Sequence, residues 1–593
     1  MTYRPPVRDM AFMLNEVAGL SKLMGKGAFS DFSGDLMDAV MEEGAKLAAD
    51  VLVPLNRTGD VAGATLENTN VSVPSGFSEA YRKWAGGGWS GLAASPDYGG
   101  QGLPVALSVA MQEMWNAACL SFGLCPILSQ GVIEALTAHG TDEQKALYLT
   151  RLISGEWTGT MNLTEPQAGS DLNALKAKAV PQGDGTYKIT GTKIFITYGD
   201  HDMAENIVHL VLARLPDAPP GTRGISLFLV PKFLVNPDGS TGARNDVCCI
   251  GLEEKLGIHA SPTCVMSYGE NTGAIGTLIG QENRGLACMF TMMNNARLLV
   301  GTQGVAIAEA AYQHALAYAK ERKQGRPAGS ALALGEMAPI IEHPDVRRML
   351  TTMKALTEAS RAICYATAVA IDTAHGGESE DKRTEGQARA DLLTPIAKSF
   401  STDAGVEIAS IGVQIHGGMG FIEETGAAQY LRDARILPIY EGTNGIQAID
   451  LVSRKLRLGN GSVVGTFIAE MRDTAKEARA SNDKALTGIG VALDSALDTL
   501  EEATAYMLDA LKSAPDDCLA GASPYLRLFG TVAGGHYLAL GALRSVGRDD
   551  APSRLSLARF YAASLLPAAH GLLGPSIAGA DSLPAADSAV LAD

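Results

Sequence analysis

In the N-terminal part of the chain, apolar residues recur every three to four positions, which is the period of an α-helix. This spacing predicts helices within 36–53, 105–119 and 132–153. The residues TDEQ predict a helix start, with Thr141 as the candidate N-cap and Gln144 three residues later. Near Trp157 the pattern changes to short runs rich in β-branched residues, separated by Gly, Pro and Asn, and it continues to about Gly280. Such runs are typical of strands, so we expect a β-domain of antiparallel strands there.

Helical spacing returns from about residue 284 to 458, and a further apolar stripe begins after residue 465. The order helical, β, helical, helical predicts an α+β fold, mostly α, with four domains. We place these domains at 1–158, 159–280, 281–458 and 459–593.

Composition and charge exclude several classes of protein. The 593 residues are 46% hydrophobic and carry a formal net charge of -17, which argues against a nucleic-acid-binding surface. The eight cysteines form no C-x-x-C pair and are typical of reduced thiols, and the ten histidines lack ligand spacing, so we expect no metal. We find no signal-peptide core and no uninterrupted apolar run long enough to span a bilayer, and we predict a cytoplasmic protein.

The stretch MNLTEPQAGSD begins as a strand and breaks at Pro166 into a turn of small residues. Gly169 and Ser170 would allow a ligand to approach backbone N–H groups closely. An ordinary turn has the same composition, so the stretch alone leaves both interpretations open.

The stretch TGTKIFITYG has the pattern of a strand. A hydroxyl at Thr197 near the aromatic ring of Phe195 could hydrogen-bond to and stack on a flat ring. A half-buried structural strand is the alternative.

Two glycine-containing stretches follow in the third domain. QIHGGMGFIEE has three glycines within four residues, which suits either a diphosphate or the end of a helix. ILPIYEGTNGIQ places one acid, Glu441, between an apolar run and a Gly-Thr-Asn-Gly turn. An apolar helical pattern follows, so we expect a helix to start at Thr443. Read alone, Glu441 is a solvated turn residue; in a dry pocket it would be a base, because an apolar flank such as Ile439 and Tyr440 raises the pKa of a carboxylate.

Taken together, these stretches resemble the signature motifs of the acyl-CoA dehydrogenase family. ARLLVGTQG and YAKERKQG resemble two further motifs of that family, in the right order and spacing, and the resemblance covers roughly residues 40–455. Three positions depart from the family pattern: Asn162 replaces a small residue or Cys, Gln429 replaces Lys or Arg, and Phe195 replaces the usual Trp beside the flavin. One branch of the family carries its base where this chain has Ala296, so Glu441 has no competitor there.

The resemblance implies the acyl-CoA dehydrogenase fold: an N-terminal helical domain, a middle β-barrel-like domain and a C-terminal four-helix bundle. The stretch YRPPVRDMAFMLNEV and the extra C-terminal helical domain resemble the longer members, among them those that act on 3-(methylthio)propanoyl-CoA in dimethylsulfoniopropionate breakdown. The longer members also imply a homodimer.

The implied reaction is FAD-dependent oxidation of an acyl-CoA thioester to a trans-2-enoyl-CoA. Glu441 would remove the α-proton, its own backbone N–H and a flavin ribityl hydroxyl would stabilise the carbonyl oxygen, and the β-hydride would pass to flavin N5. Electron-transfer flavoprotein would accept the electrons. An acyl-CoA oxidase on the same fold and a flavin-bearing relative that binds nucleic acid are the alternatives.

The resemblance also implies a set of binding residues. Substrate contacts are expected from Ser170, Arg297 and Gly442. FAD contacts are expected from Met161, Leu163, Thr164, Gly169, Ser170, Phe195, Thr197, Arg322, Gln414, Gly417, Gly418, Thr443 and Gly445.

Overall fold

The computed structural model describes residues 3–585 together with Ser588, Val590 and Leu591, and it divides into two compact units. Unit 1 comprises residues 3–5 and 42–299, and unit 2 comprises residues 6–41 and the chain from Val300 onward. The outermost ends of the predicted first and fourth domains lie outside the described residues. The four predicted domain boundaries remain predictions.

The α-helices are α1 (Val7–Phe12), α2 (Gly34–Leu47), α3 (Val53–Ala62), α4 (Phe77–Gly86), α5 (Val105–Ala118), α6 (Leu120–His139), α7 (Asp142–Ile153), α8 (Gly285–Glu321), α9 (Pro344–Gly376), α10 (Glu380–His416), α11 (Gly418–Phe421), α12 (Ala427–Ala434), α13 (Asn444–Asp450), α14 (Ser462–Arg479), α15 (Lys484–Ser513), α16 (Pro515–Ala520), α17 (Ala522–Arg544), α18 (Ala551–Ser564) and α19 (Ala568–Ile577). The strands are β1 (Thr65–Glu67), β2 (Asn70–Ser72), β3 (Trp157–Asn162), β4 (Lys178–Pro181), β5 (Thr186–Thr197), β6 (Asn206–Arg214), β7 (Ile225–Pro231), β8 (Phe233–Val235), β9 (Thr241–Arg244), β10 (Val247–Leu252), β11 (Thr263–Tyr268) and β12 (Ala274–Ile279). Within the described residues, every strand belongs to unit 1.

The main sheet of unit 1 has eight strands, in the order β10-β11-β5-β12-β7-β6-β3, with β4 pairing β5 and β6. The prediction of an antiparallel domain is wrong for β3, which runs parallel to β6 with Met161 opposite Leu210. The strands β4 and β5 lie between β3 and β6 in sequence and allow the chain to return to the same end of the sheet. A pattern of apolar residues within one strand carries no information about the direction of its partner.

The core of unit 1 forms where α6 meets the sheet. Strands β6 and β7 are buried at almost every position, and Gly159 of β3 lies so close to α6 that an added Cβ would come within 2.6 Å of Val132. Helix α6 is the helix of the described chain whose length and hydropathy would suit a membrane span, but 83% of its most apolar window is buried inside the protein. Helix α7 starts at the predicted Thr141–Gln144 capping box, which is confirmed.

Long helices build unit 2, where α9 packs along α10, and α17 contacts both α9 and α15. Helices α8 and α9 enclose a buried ionic cluster: Arg361 pairs with Glu309 at 2.8 Å and with Glu358 at 2.6 Å. The N-terminal segment joins this unit, because Asp9 of α1 accepts a 3.0 Å bond from Arg554 of α18.

Candidate active site

In unit 1, the loop after β3 is organised by the carboxylate of Glu165. This carboxylate accepts hydrogen bonds from the backbone N–H groups of Lys176 at 2.7 Å and Ala177 at 2.9 Å. It also pairs with Lys193 Nζ at 2.9 Å, and the same ammonium group donates to the carbonyl of Leu163 at 3.0 Å. Both partners are buried, so the loop is tied to β5 by a satisfied ion pair.

Burial and charge act in opposite directions on this pair. Burial by itself would raise the pKa of Glu165, but the Lys193 cation and the backbone N–H donors outweigh it and leave the pKa below its usual range. Burial lowers the pKa of Lys193 to about 8, although Glu165 opposes this change. Both groups are therefore charged near neutral pH.

Phe195 lies two residues further along β5 and breaks the regular strand. Its φ is +59°, in the left-handed region that side chains other than Gly rarely occupy, and β11 shifts its register opposite this point, between Cys264 and Met266. The Ile194 N–H bonds to the carbonyl of Thr164 at 2.9 Å, which joins β5 to the loop just before the bulge. Phe195 is 58% exposed.

The structure brings several predicted flavin contacts of unit 1 into one hydrogen-bonded neighbourhood. Leu163 and Thr164 bond to β5 as described, and Thr160 Oγ1 donates to the carbonyl of Thr197 at 2.7 Å. Met161 is buried, whereas Gly169 and Ser170 are exposed on the loop. Arg297 is buried on α8.

In unit 2, Glu441 lies on the turn between α12 and α13. Its φ is +57°, and the following Gly442 has φ +81°. The amide of Gln447 donates to the carbonyl of Glu441 at 3.3 Å and to that of Gly442 at 3.4 Å. Helix α13 starts directly afterwards with Thr443 as its N-cap, as predicted, and the Thr443 hydroxyl accepts the N–H of Ile446. The Gln447 side chain of α13 therefore holds the left-handed turn in place.

Asn444 ties the same turn to α10. Its side-chain oxygen accepts a bond from Lys398 Nζ at 2.8 Å, and its amide nitrogen donates to Thr402 Oγ1 at 3.0 Å and to Asp403 Oδ1 at 2.7 Å. Its own N–H bonds to the carbonyl of Pro438 at 3.0 Å. Burial raises the pKa of Asp403.

The residue before Glu441 supplies its apolar flank. The Tyr440 hydroxyl donates a hydrogen bond to Gln303 Oε1 on α8. Burial raises the pKa of Tyr440 well above its usual range, and the nearby charge of Glu441 raises it further. The expectation that Ile439 also shields the acid is wrong within this unit, because that side chain is 47% exposed.

Helix α10 ends within the glycine-rich stretch QIHGGMGFIEE. Gly417 caps the helix with φ +61°, and no atom lies within 4 Å of a Cβ placed on Gly417 or Gly418. Gln414 is exposed on the last turn, and exposed Arg322 bonds to Gln324 Oε1 at 3.2 Å. The helix-end interpretation is confirmed, and the open backbone leaves room for a ligand as well.

The residues present fit a flavin cofactor. Unit 1 presents an exposed aromatic face at Phe195 beside half-buried Thr164 and Thr197, which suits a flat ring with polar edges. Unit 2 presents unobstructed backbone at Gly417 and Gly418, which suits close approach of a diphosphate. No group of three or more His, Cys, Asp or Glu in the described part of the chain is arranged to hold a metal.

Models of known protein families match most of the length of this chain. Models of the acyl-CoA dehydrogenase N-terminal, middle and C-terminal domains match residues 47–156, 160–268 and 283–456, and a model of the acetyl-CoA dehydrogenase C-terminal-like domain matches 467–587. The chain is 49% identical over 544 residues to 3-methylmercaptopropionyl-CoA dehydrogenase of Ruegeria pomeroyi, covering 92% of this chain and 91% of the relative.

The chain belongs to the acyl-CoA dehydrogenase family. It is an oxidoreductase that dehydrogenates an acyl-CoA, and its cofactor is FAD. It is also 33% identical to the broad-specificity linear acyl-CoA dehydrogenase FadE5 of Mycobacterium tuberculosis, covering 95% of this chain and 96% of that one. The structure of an acyl-CoA dehydrogenase complexed with FAD from Bacillus anthracis shares the fold, with 20% identity, a TM-score of 0.73, and coverage of 92% of this chain and 88% of that one. The predicted fold class, with its extra C-terminal region, is confirmed.

Residues that support the candidate catalytic and flavin-facing groups escaped the sequence prediction. Glu165 lies in MNLTEPQAGSD and Lys193 in TGTKIFITYG, but only the structure shows that the two side chains form an ion pair. Gln303 lies in ARLLVGTQG, and Asn444 and Gln447 follow Glu441 directly. Polar side chains on otherwise apolar helix faces were the available signal for Gln303 and Gln447.

Proposed function

We propose that this acyl-CoA dehydrogenase oxidises 3-(methylthio)propanoyl-CoA to 3-(methylthio)acryloyl-CoA, as part of dimethylsulfoniopropionate degradation. The observation that carries the proposal is the 49% identity to 3-methylmercaptopropionyl-CoA dehydrogenase, which extends over 92% of this chain and so includes most of its extra C-terminal region.

Glu441 is the proposed catalytic base. The α-proton of a thioester is weakly acidic, so its removal needs a carboxylate at the α-carbon and a hydrogen-bond donor at the carbonyl oxygen. The Glu441 carboxylate takes this proton, and the Glu441 backbone N–H supplies a donor for the developing negative charge on the oxygen. Bonds from Gln447 to the Glu441 and Gly442 carbonyls support this role, because they hold the turn in its left-handed conformation.

Other residues of the chain bind and orient. Gly442 leaves space for the thioester, and Arg297 and Ser170 contact the CoA moiety. FAD, when bound, accepts the hydride lost from the β-carbon. The residues that would hold it are Met161, Leu163, Thr164, Gly169, Ser170, Phe195, Thr197, Arg322, Gln414, Gly417, Gly418, Thr443 and Gly445.

The proposal extends to the partners and location of the enzyme. Electron-transfer flavoprotein is the proposed electron acceptor, the assembly is a homodimer, and the enzyme works in the cytoplasm. Membership of the acyl-CoA dehydrogenase family supports the acceptor. Peroxide release during turnover in air, without any transfer protein, would instead indicate an oxidase.

A panel of acyl-CoA substrates with an artificial electron acceptor tests the substrate. We expect the highest kcat/KM for 3-(methylthio)propanoyl-CoA. Butyryl-CoA, pentanoyl-CoA and octanoyl-CoA are the comparison substrates, since pentanoyl-CoA matches the length of the methylthio chain without its sulfur. Equal or faster turnover of pentanoyl-CoA would overturn the proposed preference.

A second candidate function is oxidation of straight-chain acyl-CoA over a range of lengths. It is favoured by the similarity to the broad-specificity linear enzyme, which covers 95% of this chain. A flat profile across the panel would support it.

A further inference from the structure

The last residue of strand β3, Asn162, joins three strands of the main sheet through its side-chain amide. Its Nδ2 atom lies 3.3 Å from Nδ1 of His209 on β6, and its Oδ1 atom accepts a 2.7 Å hydrogen bond from the hydroxyl of Tyr268 on β11. The Tyr268 hydroxyl also lies 3.1 Å from His209 Nδ1, so the three side chains form a closed triangle. All three are buried.

This triangle connects strands that are far apart in the order of the sheet. Strand β3 pairs with β6 along its whole length, whereas β5, β12 and β7 lie between β11 and β6. A side chain of β3 reaches β11 because the sheet curves until both strands face a common interior. The bond from Thr160 to the carbonyl of Thr197 crosses the same interior two residues earlier, from β3 to β5. The end of β3 is therefore tied to strands on the far side of this interior.

The residues on either side of Asn162 are both expected to contact FAD. Side chains alternate between the two faces of a strand, so Met161 points to the opposite face from Asn162, and Leu163 begins the loop that follows. We propose that Asn162 is a positioning residue for FAD, which fixes the end of β3 and so holds Met161 and Leu163 in place. The inference rests on the proposed FAD contacts of these two residues and concerns unit 1 only.

The partners of Asn162 are neutral at physiological pH. Burial, together with the cations of Lys232 and Arg244, lowers the pKa of His209 to about 3. Burial raises the pKa of Tyr268 well above its usual range. The triangle therefore keeps its hydrogen bonds between about pH 5 and 9 and adds no charge to the strand that carries the proposed FAD contacts.

Removing Asn162 would release β3 without leaving its two partners unpaired. Nδ1 of His209 carries a lone pair whenever it accepts the Asn162 amide, so in N162A the Tyr268 hydroxyl can donate to it across the existing 3.1 Å. The link from β3 to both partners is then lost. Leu163 and Thr164 keep their carbonyl bonds to β5, so we expect a displaced strand end rather than an unfolded loop.

Asn206 offers a matched control at the other end of the same strand pair. It lies opposite Trp157, the first residue of β3, roughly 16 Å from the last residue at 3.3 Å per residue. Asn206 is also buried, and its Oδ1 atom accepts the N–H groups of Ile207 and Phe233, each at 2.9 Å. N206A removes the acceptor of two backbone donors, so it should destabilise unit 1 at least as much as N162A does.

The test measures how fast FAD leaves the purified holoenzyme, from the rise in fluorescence of the released FAD. The variants are N162A, Y268F, N162A/Y268F and N206A, and urea unfolding of the same preparations gives their stabilities. We expect N162A to release FAD about 3- to 10-fold faster than the parent, the usual effect of one net hydrogen bond. Y268F should have a smaller effect, and the double variant should match N162A, because Tyr268 is proposed to act on β3 through Asn162. N206A should release FAD at the parental rate.

A purely structural role for Asn162 predicts instead that FAD release follows stability. N206A would then release FAD as fast as N162A at an equal loss of stability, which would overturn the proposal. Release from N162A at the parental rate would overturn it as well. If N162A does not fold, Y268F, which keeps the aromatic ring, takes its place. We expect this variant to release FAD about 2- to 5-fold faster than the parent, and an unchanged rate would contradict the proposal.

Leu163→Ala separates this inference from the proposed FAD contacts. If that variant holds FAD as tightly as the parent, Leu163 does not contact FAD and the proposed assignment fails. If it releases FAD faster while N162A does not, the assignment stands and only the role of Asn162 is overturned.

Discussion

Phe195 in unit 1 and Glu441 in unit 2 carry side chains on left-handed backbone, with φ values of 59° and 57°. Each such residue costs of order 1–3 kcal/mol and persists only when its surroundings determine the conformation. The two units do this differently. The segment around Phe195 is fixed by a buried ion pair and by the ladder of β5, whereas the turn at Glu441 is fixed by the carboxamides of Asn444 and Gln447.

The difference suits the role proposed for each side chain. Phe195 presents a neutral ring, so the charges of Lys193 and Glu165 behind it leave its chemistry unaltered. Glu441 presents an acid whose pKa any bonded charge would shift. Neutral amides hold such an acid in place without changing its strength, and the buried cation Lys398 donates to the side chain of Asn444 in that turn.

The largest expected effect comes from removing the acid itself. Glu441→Gln keeps the size of the side chain and the bonds from Gln447 to the backbone, so we expect normal FAD content. Flavin bleaching by acyl-CoA under anaerobic conditions should slow by roughly 10²–10⁴-fold, the usual contribution of a general base. Bleaching at the parental rate would remove Glu441 from the mechanism.

Breaking the ion pair behind Phe195 comes next. Lys193→Met leaves the Glu165 carboxylate buried without its cation, and we expect unit 1 to lose about 3–5 kcal/mol of stability. Urea unfolding followed by tryptophan fluorescence reports on this unit, because all four tryptophans, Trp84, Trp89, Trp115 and Trp157, belong to it. Lys178→Met, at an exposed position of β4, is the control and should unfold like the parent. An equal midpoint for both variants would show that the pair contributes little.

The ion pair behind Phe195 and the turn at Glu441 should also respond differently to acid. The pKa of Glu165 is lowered in the folded protein, so its carboxylate contributes stability above its unfolded pKa of about 4.3 and loses that contribution as the pH falls through the folded value. Below about pH 4, the Lys176 and Ala177 amides should therefore exchange their hydrogens faster, after correction for the effect of pH on the intrinsic exchange rate. Exchange at the Ile446 amide, whose acceptor is the uncharged Thr443 hydroxyl, serves as the reference. A parallel rise at Ile446 would indicate general unfolding instead.

The smallest expected effect comes from substituting Phe195, which distinguishes backbone strain at this residue from its contact with FAD. Phe195→Gly removes the penalty of a left-handed side chain, so the FAD-free protein should gain about 1 kcal/mol of stability. The same change removes the exposed ring and should weaken FAD binding by roughly 2- to 10-fold, the usual worth of an aromatic pair. Phe195→Trp is the matched variant that keeps a stacking face. If FAD binds Phe195→Gly as tightly as the parent, Phe195 has no part in holding the flavin.

Sequence reasoning identified the elements well where periodicity and capping residues act locally. The Thr141 cap, the strand around Phe195 and the helix start after Thr443 are all present. It failed where the direction of a strand or the exposure of a side chain depends on distant parts of the chain. Strand β3 pairs in parallel with β6, and Ile439 is exposed despite its apolar neighbours.

The sequence by itself determined which stretches we propose to carry chemistry, because Glu441, Phe195 and the glycine-rich turns are sets of residue types that only a few functions need together. Only the tertiary structure decided how these groups are held. Glu165 meets Lys193 across 28 residues and Tyr440 meets Gln303 across 137, and such contacts depend on how strands and helices pack. Local patterns set the dihedral angles of each element, whereas the partner of a buried polar group is set by whichever distant element brings a donor or acceptor within about 3 Å.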